Sequence, residues 1–101
     1  MTDIVFLHCN LQELSQVTNA PTDIIIEIIE QGIIDPEGST PESWQFNNYM
    51  ITLTQKALRL HRDLNIEWAG IALALHLIEE LDQLREDNKR LQQRLDRFLI
   101  D

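Results

Sequence analysis

Residues 21–36 read PTDIIIEIIEQGIIDP. Ile24, Ile25, Ile28 and Ile29 recur at helical spacing, so residues that elsewhere favour strands here predict one buried helical stripe. Asp23, Glu27 and Glu30 fall at i, i+4 and i+7 on the opposite side. Pro21 has the fixed backbone angle of a first helical position, and Gly32 suits the left-handed residue that ends a helix. The spacing therefore predicts a helix from Pro21 to about Gln31. Just upstream, Asn10 and Glu13 fit a capping box, and Leu11, Leu14 and Val17 line one face of a short helix ending near Asn19. Two short helices are thus joined by a turn at Ala20-Pro21. The second of them carries only negative charge.

Downstream, Ile33 and Ile34 precede a loop of turn-formers, EGSTPES, and then Trp44-Gln45-Phe46. This predicts a small β-wing, with Ile33 and Ile34 pairing opposite Trp44 and Phe46. Ile4–Leu7, within DIVFL, has the composition of a further short strand. Asn47 or Asn48 caps a third helix ending near Asn65, with Met50, Leu53, Ala57, Leu60 and Leu64 inside and Lys56, Arg59 and Arg62 or Asp63 outside. A fourth helix begins around Glu67 and meets no Pro, and no Gly after Gly70. Trp68, Ile71 and Leu75 are its predicted core residues.

From Leu77 the pattern changes to a heptad seam: Leu77, Leu81, Leu84, Asn88, Leu91, Leu95 and Phe98 alternate in steps of four and three. At ~1.5 Å per residue the seam spans roughly 32 Å, more than one small domain covers, so it predicts association with a second copy. Asn88 in the seam costs stability but limits register and favours two strands. Glu80 and Arg85 are spaced for an interhelical pair between parallel strands, without deciding orientation. The expected organisation is a domain over residues 1–75 and a coiled-coil helix over 76–101.

The net charge of -9 is unevenly placed. Residues 1–55 carry eight acids and no Lys or Arg, whereas residues 56–101 carry all eight cations against nine acids. An acidic front half of this kind suits a positively charged partner. It opposes DNA, whose phosphates demand Lys and Arg. No constellation for catalysis is present: His8, His61 and His76 are scattered, Glu79-Glu80 are adjacent and diverge around a helix, and no glycine-rich phosphate loop exists. Neither a metal nor a cofactor is expected, and the chain reads as a binding protein rather than an enzyme. No apolar run reaches the ~18 residues of a membrane span. The opening MTDIVFLHCN lacks the basic start of a secretory leader, and lone Cys9 suits a reducing compartment, so a cytoplasmic location is expected.

The order of short helix, turn, helix, wing, helix and long helix resembles MerR-type winged helix-turn-helix regulators. Trp44-x-Phe46, Arg59-Leu60-His61-Arg62-Asp63-Leu64, Trp68-Ala69-Gly70-Ile71-Ala72-Leu73-Ala74-Leu75 and Asn88…Leu91…Arg94-Leu95…Arg97-Phe98 are similar to the chaperone-modulator family, CbpM. The resemblance implies an all-α fold with a small β-wing, a MerR-like winged helix-turn-helix followed by a long helix forming a dimeric coiled coil. It also implies a function: binding the J-domain of a DnaJ-like co-chaperone of the CbpA type and preventing it from stimulating the Hsp70 chaperone DnaK. J-domains resemble one another in a positively charged second helix, which an acidic face would complement. The residues expected to meet it are Asp23, Glu27 and Glu30, with Glu42 and Trp44 as extensions. The alternative is a MerR-type DNA-binding transcription regulator, whose usual Arg-bearing second helix is missing here.

Overall fold

The computed structural model describes residues 8–100. The strand expected at Ile4–Leu7 lies outside that range. Among the described residues the fold is helical: α1 (Leu11–Thr18), α2 (Thr22–Glu30), α3 (Asn48–Leu64) and α4 (Trp68–Ile100), with a one-turn 3-10 helix at Pro41–Ser43. α1, α2 and α3 pack on one another, and α4 packs chiefly on α3. The molecule is elongated, 59 Å along its longest axis.

Local chemistry sets the helix ends. At α1, the Asn10 side chain accepts from the Glu13 amide at 2.8 Å and the Glu13 carboxylate accepts from the Asn10 amide at 2.9 Å. These two bonds satisfy amides that the first turn otherwise leaves orphaned. The helix ends at Asn19, left-handed with φ 58°, and the Ala20 amide reaches back to the Ser15 carbonyl at 3.1 Å. α2 ends the same way. Gly32 takes φ 78°, its amide donates to the Ile29 carbonyl at 2.9 Å, and the Ile33 amide donates to that of Ile28 at 3.2 Å. This crossed pair is a Schellman closure, which asks for a residue without a Cβ penalty. Pro21 precedes the first helical residue rather than occupying it. α3 is capped by the Asn47 side chain, which accepts from the Met50 amide at 2.9 Å.

The core gathers Leu14, Ile25, Ile28, Ile34, Phe46, Ala57, Trp68 and Ile71. Ile24 and Ile29 complete the α2 stripe as half-buried neighbours. Thr54 is the buried polar residue of α3, its hydroxyl donating to the Met50 carbonyl at 2.8 Å. Leu64, expected inside, is exposed because the last turn of α3 overruns the domain before the chain reverses at Asn65. Val17, in the last turn of α1, is exposed too.

The wing differs from expectation. Among the described residues there is no strand, only two isolated antiparallel bridges, Glu37 with Gln45 and Cys9 with Phe46. Ile33 and Ile34 do not pair with Trp44 and Phe46. Pro36 lacks an amide to donate, so the ladder begins one residue later, while Ile34 turns into the core at 3% exposure. Phe46 instead exchanges both backbone bonds with Cys9, at 2.8 and 2.9 Å, which ties the start of α1 to the loop before α3. Trp44 and Phe46 share one side of the segment and meet edge to face, centroids 6.3 Å apart.

Gly32 and Gly38 both hold positive φ, 78° and 117°. A Cβ on Gly32 would meet nothing within 4 Å, whereas on Gly38 it would stand 2.5 Å from the Ser43 carbonyl oxygen. Gly32→Ala is therefore expected to cost about 1 kcal/mol, the backbone penalty alone. Gly38→Ala adds a clash with backbone and is expected to cost roughly 2–3 kcal/mol. Urea denaturation of the two variants measures the difference, and equal losses would contradict it.

Candidate functional site

Three surfaces follow from this architecture. The first is the outer side of α2. Burial of Ile25 and Ile28 turns Asp23, Glu27 and Glu30 to solvent, and the next acid, Asp35, is exposed beyond the Schellman turn. Asp23 is committed locally, accepting from the Ile24 amide at 3.0 Å. Glu42 is exposed on the 3-10 turn, while Trp44 is half-buried against the core. The structure therefore brings Asp23, Glu27 and Glu30 onto one helix and keeps Glu42 and Trp44 on a separate element.

The second surface is the seam on α4. His61 fixes how this helix leaves the domain: its Nδ1 donates to the Ile66 carbonyl at 2.8 Å, and its ring stacks on Trp68 with centroids 4.1 Å apart. A carbonyl only accepts, so the Nδ1 nitrogen carries the proton. Trp68 and Ile71 are then buried against α3 and Leu75 half-buried. At about 100° per residue, Leu73, Leu77, Leu81 and Leu84 lie roughly 140° around the helix from that buried side. All four are exposed, as are Asn88, Leu91, Leu95 and Phe98, the last at 82%. The seam thus points away from its own domain, and α4 does not fold back on it. Glu80, expected in an interhelical pair, stands 3.3 Å from His76 one turn back on the same helix.

The third surface was not legible in the sequence. A groove of about 690 Å³ runs between the segment Gln31–Asp35, the start of α3 and α4. Ile33, Met50, Leu53 and Leu75 form its floor, and Asp35, Lys56, Glu79 and Asp82 stand on its rim. Tyr49 spans it, its hydroxyl donating to a Glu79 carboxylate oxygen at 2.8 Å across thirty positions of chain. No sequence pattern marks such a pair.

Among the described residues no group of three or more His, Cys, Asp or Glu is placed to hold a metal ion. Nor is any described helix long and apolar enough to cross a membrane. Burial pushes the Cys9 thiol above its ordinary range, with the Glu13 carboxylate adding to the shift. That opposes the thiolate a nucleophile requires.

A tight helix-turn-helix with a short hairpin-like loop and a long trailing helix is the architecture of a helix-turn-helix regulator. Residues 9–93 match the family described as MerR HTH family regulatory protein. The chain is 43% identical over 98 residues to the "Chaperone modulatory protein CbpM" of Pseudomonas putida, covering 97% of each chain. It is 42% identical to the protein of that name from Pseudomonas entomophila, again with 97% of each chain covered. Against that of Salmonella paratyphi B the identity is 42% over 82 residues, 81% of each chain. The chain belongs to the CbpM chaperone-modulator family, a MerR-like helix-turn-helix family.

Donation to Glu79 raises the Tyr49 hydroxyl above the ordinary phenol value, with burial and the carboxylate charge adding to it. The folded value is the higher one, so the stabilisation is present below the ordinary phenol pKa and lost as pH rises through the raised one. Tyr49 is the sole tyrosine of the chain. Tyrosinate absorbance should accordingly show one transition above the ordinary range, brought down by Glu79→Gln. An unmoved transition in that variant would contradict the link.

Proposed function

We propose that this protein is a non-enzymatic chaperone modulator of the cytoplasm that binds the J-domain of a DnaJ-like co-chaperone and lowers its activity with DnaK. The observation that carries this reading is the outer side of α2. At the position where a MerR-type regulator meets DNA, it presents Asp23, Glu27 and Glu30 and no cation. Kinship with proteins named chaperone modulatory protein supplies the class of partner. A basic helix laid along these carboxylates would be withheld from the chaperone it serves, so inhibition needs no chemistry beyond competition. DNA binding is the weaker reading. Duplex DNA carries one charge per ~1.7 Å, and an α2 without Lys or Arg would be repelled from it.

The same proposal includes a homodimer through Leu77, Leu81, Leu84, Asn88, Leu91, Leu95 and Phe98. An apolar stripe this long, turned from its own domain, gains stability only by meeting another surface. The second copy brings the same stripe.

Two experiments test these parts separately. Reversing Asp23, Glu27 and Glu30 to Lys should weaken binding of a purified J-domain at least tenfold by calorimetry, and wild-type affinity should fall as salt rises. Equal affinity in wild type and variant, independent of salt, would refute the charge mechanism. Leu84→Asp with Leu91→Asp should halve the mass seen by light scattering. A mass unchanged by that pair would refute the seam.

A further inference from the structure

Surface carboxylates alone seldom anchor a partner, because exposed pairs are screened and contribute at most ~1 kcal/mol each. Tight association usually needs an apolar side chain in a desolvated pocket. The outer side of α2 is lined by exposed carboxylates, its buried isoleucines being turned inward, and the groove begins at its C-terminal end, where Gln31 follows Glu30. Its floor is apolar, and no buried side-chain nitrogen or oxygen among the described residues lacks a hydrogen-bond partner. Nothing in the floor therefore asks for a polar ligand. The rim carries three carboxylates, Asp35, Glu79 and Asp82, against Lys56 and the imidazole of His76, which lies 3.3 Å from Glu80 on the same helix. An apolar floor within an acidic rim is complementary to a helix with an apolar stripe flanked by Lys and Arg.

The seam does not compete for this space. Ala72, Leu75, Ile78, Glu79 and Asp82 line the groove, on the side of α4 opposite to Leu73, Leu77, Leu81 and Leu84 at about 100° per residue. A dimer formed on the seam leaves the groove open. A second copy could offer Phe98 beside Arg94 and Arg97, but Phe98 belongs to the seam and is spent there.

We propose that this groove is the anchoring site for a cationic amphipathic helix of the partner protein, which seats an apolar side chain over Ile33, Leu53 and Leu75. Its flanking cations pair with Asp35, Glu79 and Asp82. The proposal rests on the reading of the chain as a binder of a basic helix and gives that reading its hot spot. On binding, a cation of the incoming helix replaces the Tyr49 hydroxyl as the partner of Glu79.

Glu79→Lys with Asp82→Lys tests the rim, and Ile78→Glu tests the apolar mouth; all three positions are exposed, so folding is preserved and circular dichroism checks it. Two probes are used on the full chain: a purified J-domain, and a synthetic Leu/Lys amphipathic helical peptide. Both should bind the wild type, and both variants should lose at least tenfold in affinity with unchanged helicity and mass. Methyl NMR signals of Ile33, Leu53 and Leu75 should shift on titration. Wild-type binding retained in both variants would overturn the groove while sparing the J-domain reading. Failure of the J-domain alone, with the peptide still bound in the groove, would overturn the J-domain reading and support the groove. A changed mass of either unliganded variant would mean that a second copy covers this surface, and would overturn the proposal, as would failure of the peptide to bind.

Discussion

The packing of Trp68 and Ile71 against α3 decides what the rest of α4 is able to do. Once these side chains are buried and His61 is stacked on Trp68, the rotation of a rigid helix is set for its whole length. Each later residue then inherits its direction from its position. Leu77 and its successors face solvent, Leu75 and Ile78 face the groove, and no side chain has a free choice. The seam and the groove are two consequences of one packing interaction, on opposite sides of one helix. The corner at Asn65, left-handed with φ 54°, and the bond from His61 to the Ile66 carbonyl hold that rotation in place.

Electrostatics then sets the outer side of α2 apart from a surface built to meet phosphate, because it carries Asp23, Glu27 and Glu30 and no Lys or Arg. The scaffold of α1 and α2 is built by the same devices any helix-turn-helix protein would use: a capping box, an asparagine turn and a buried isoleucine stripe. What differs is the charge left outside once the isoleucines are inside. On this exposed helix Asp23, Glu27 and Glu30 repel one another at i, i+4 and i+3 spacing by roughly 0.2–0.5 kcal/mol per pair, and they make a phosphate backbone an unfavourable neighbour. A basic protein helix becomes a favourable one. In the proposed arrangement the α2 carboxylates steer the partner and the groove holds it, a division between association rate and residence time.

Features set by neighbours in the chain were legible in the sequence. The Asn10–Glu13 box, a cap at Asn47 or Asn48, the Gly32 terminator and the α2 isoleucine stripe each depend on residues a few positions apart; the structure carries them, with Asn47 as the cap and Ile25 and Ile28 as the fully buried pair of the stripe. The exposed heptad of α4 was equally plain, because its spacing survives in any straight helix. Contacts between distant segments were not legible. Phe46 pairs with Cys9 rather than with the isoleucines after α2, since Pro36 shifts the ladder and no local pattern records where the first segment of the chain will lie. Thr54 fills the core position expected of an apolar residue because its hydroxyl is absorbed by the Met50 carbonyl. The groove and the Tyr49–Glu79 link depend on how α3 meets α4, which periodicity does not encode.

In the proposed role this chain acts on a co-chaperone rather than on nucleic acid or a small molecule. The most direct measurement is the ATPase rate of DnaK stimulated by a J-domain co-chaperone, titrated with the purified chain. The rate should fall with added chain to the level seen without co-chaperone, reached near one chain per J-domain, while the unstimulated DnaK rate stays unchanged. A stimulated rate that persists under a large excess of the chain would contradict it.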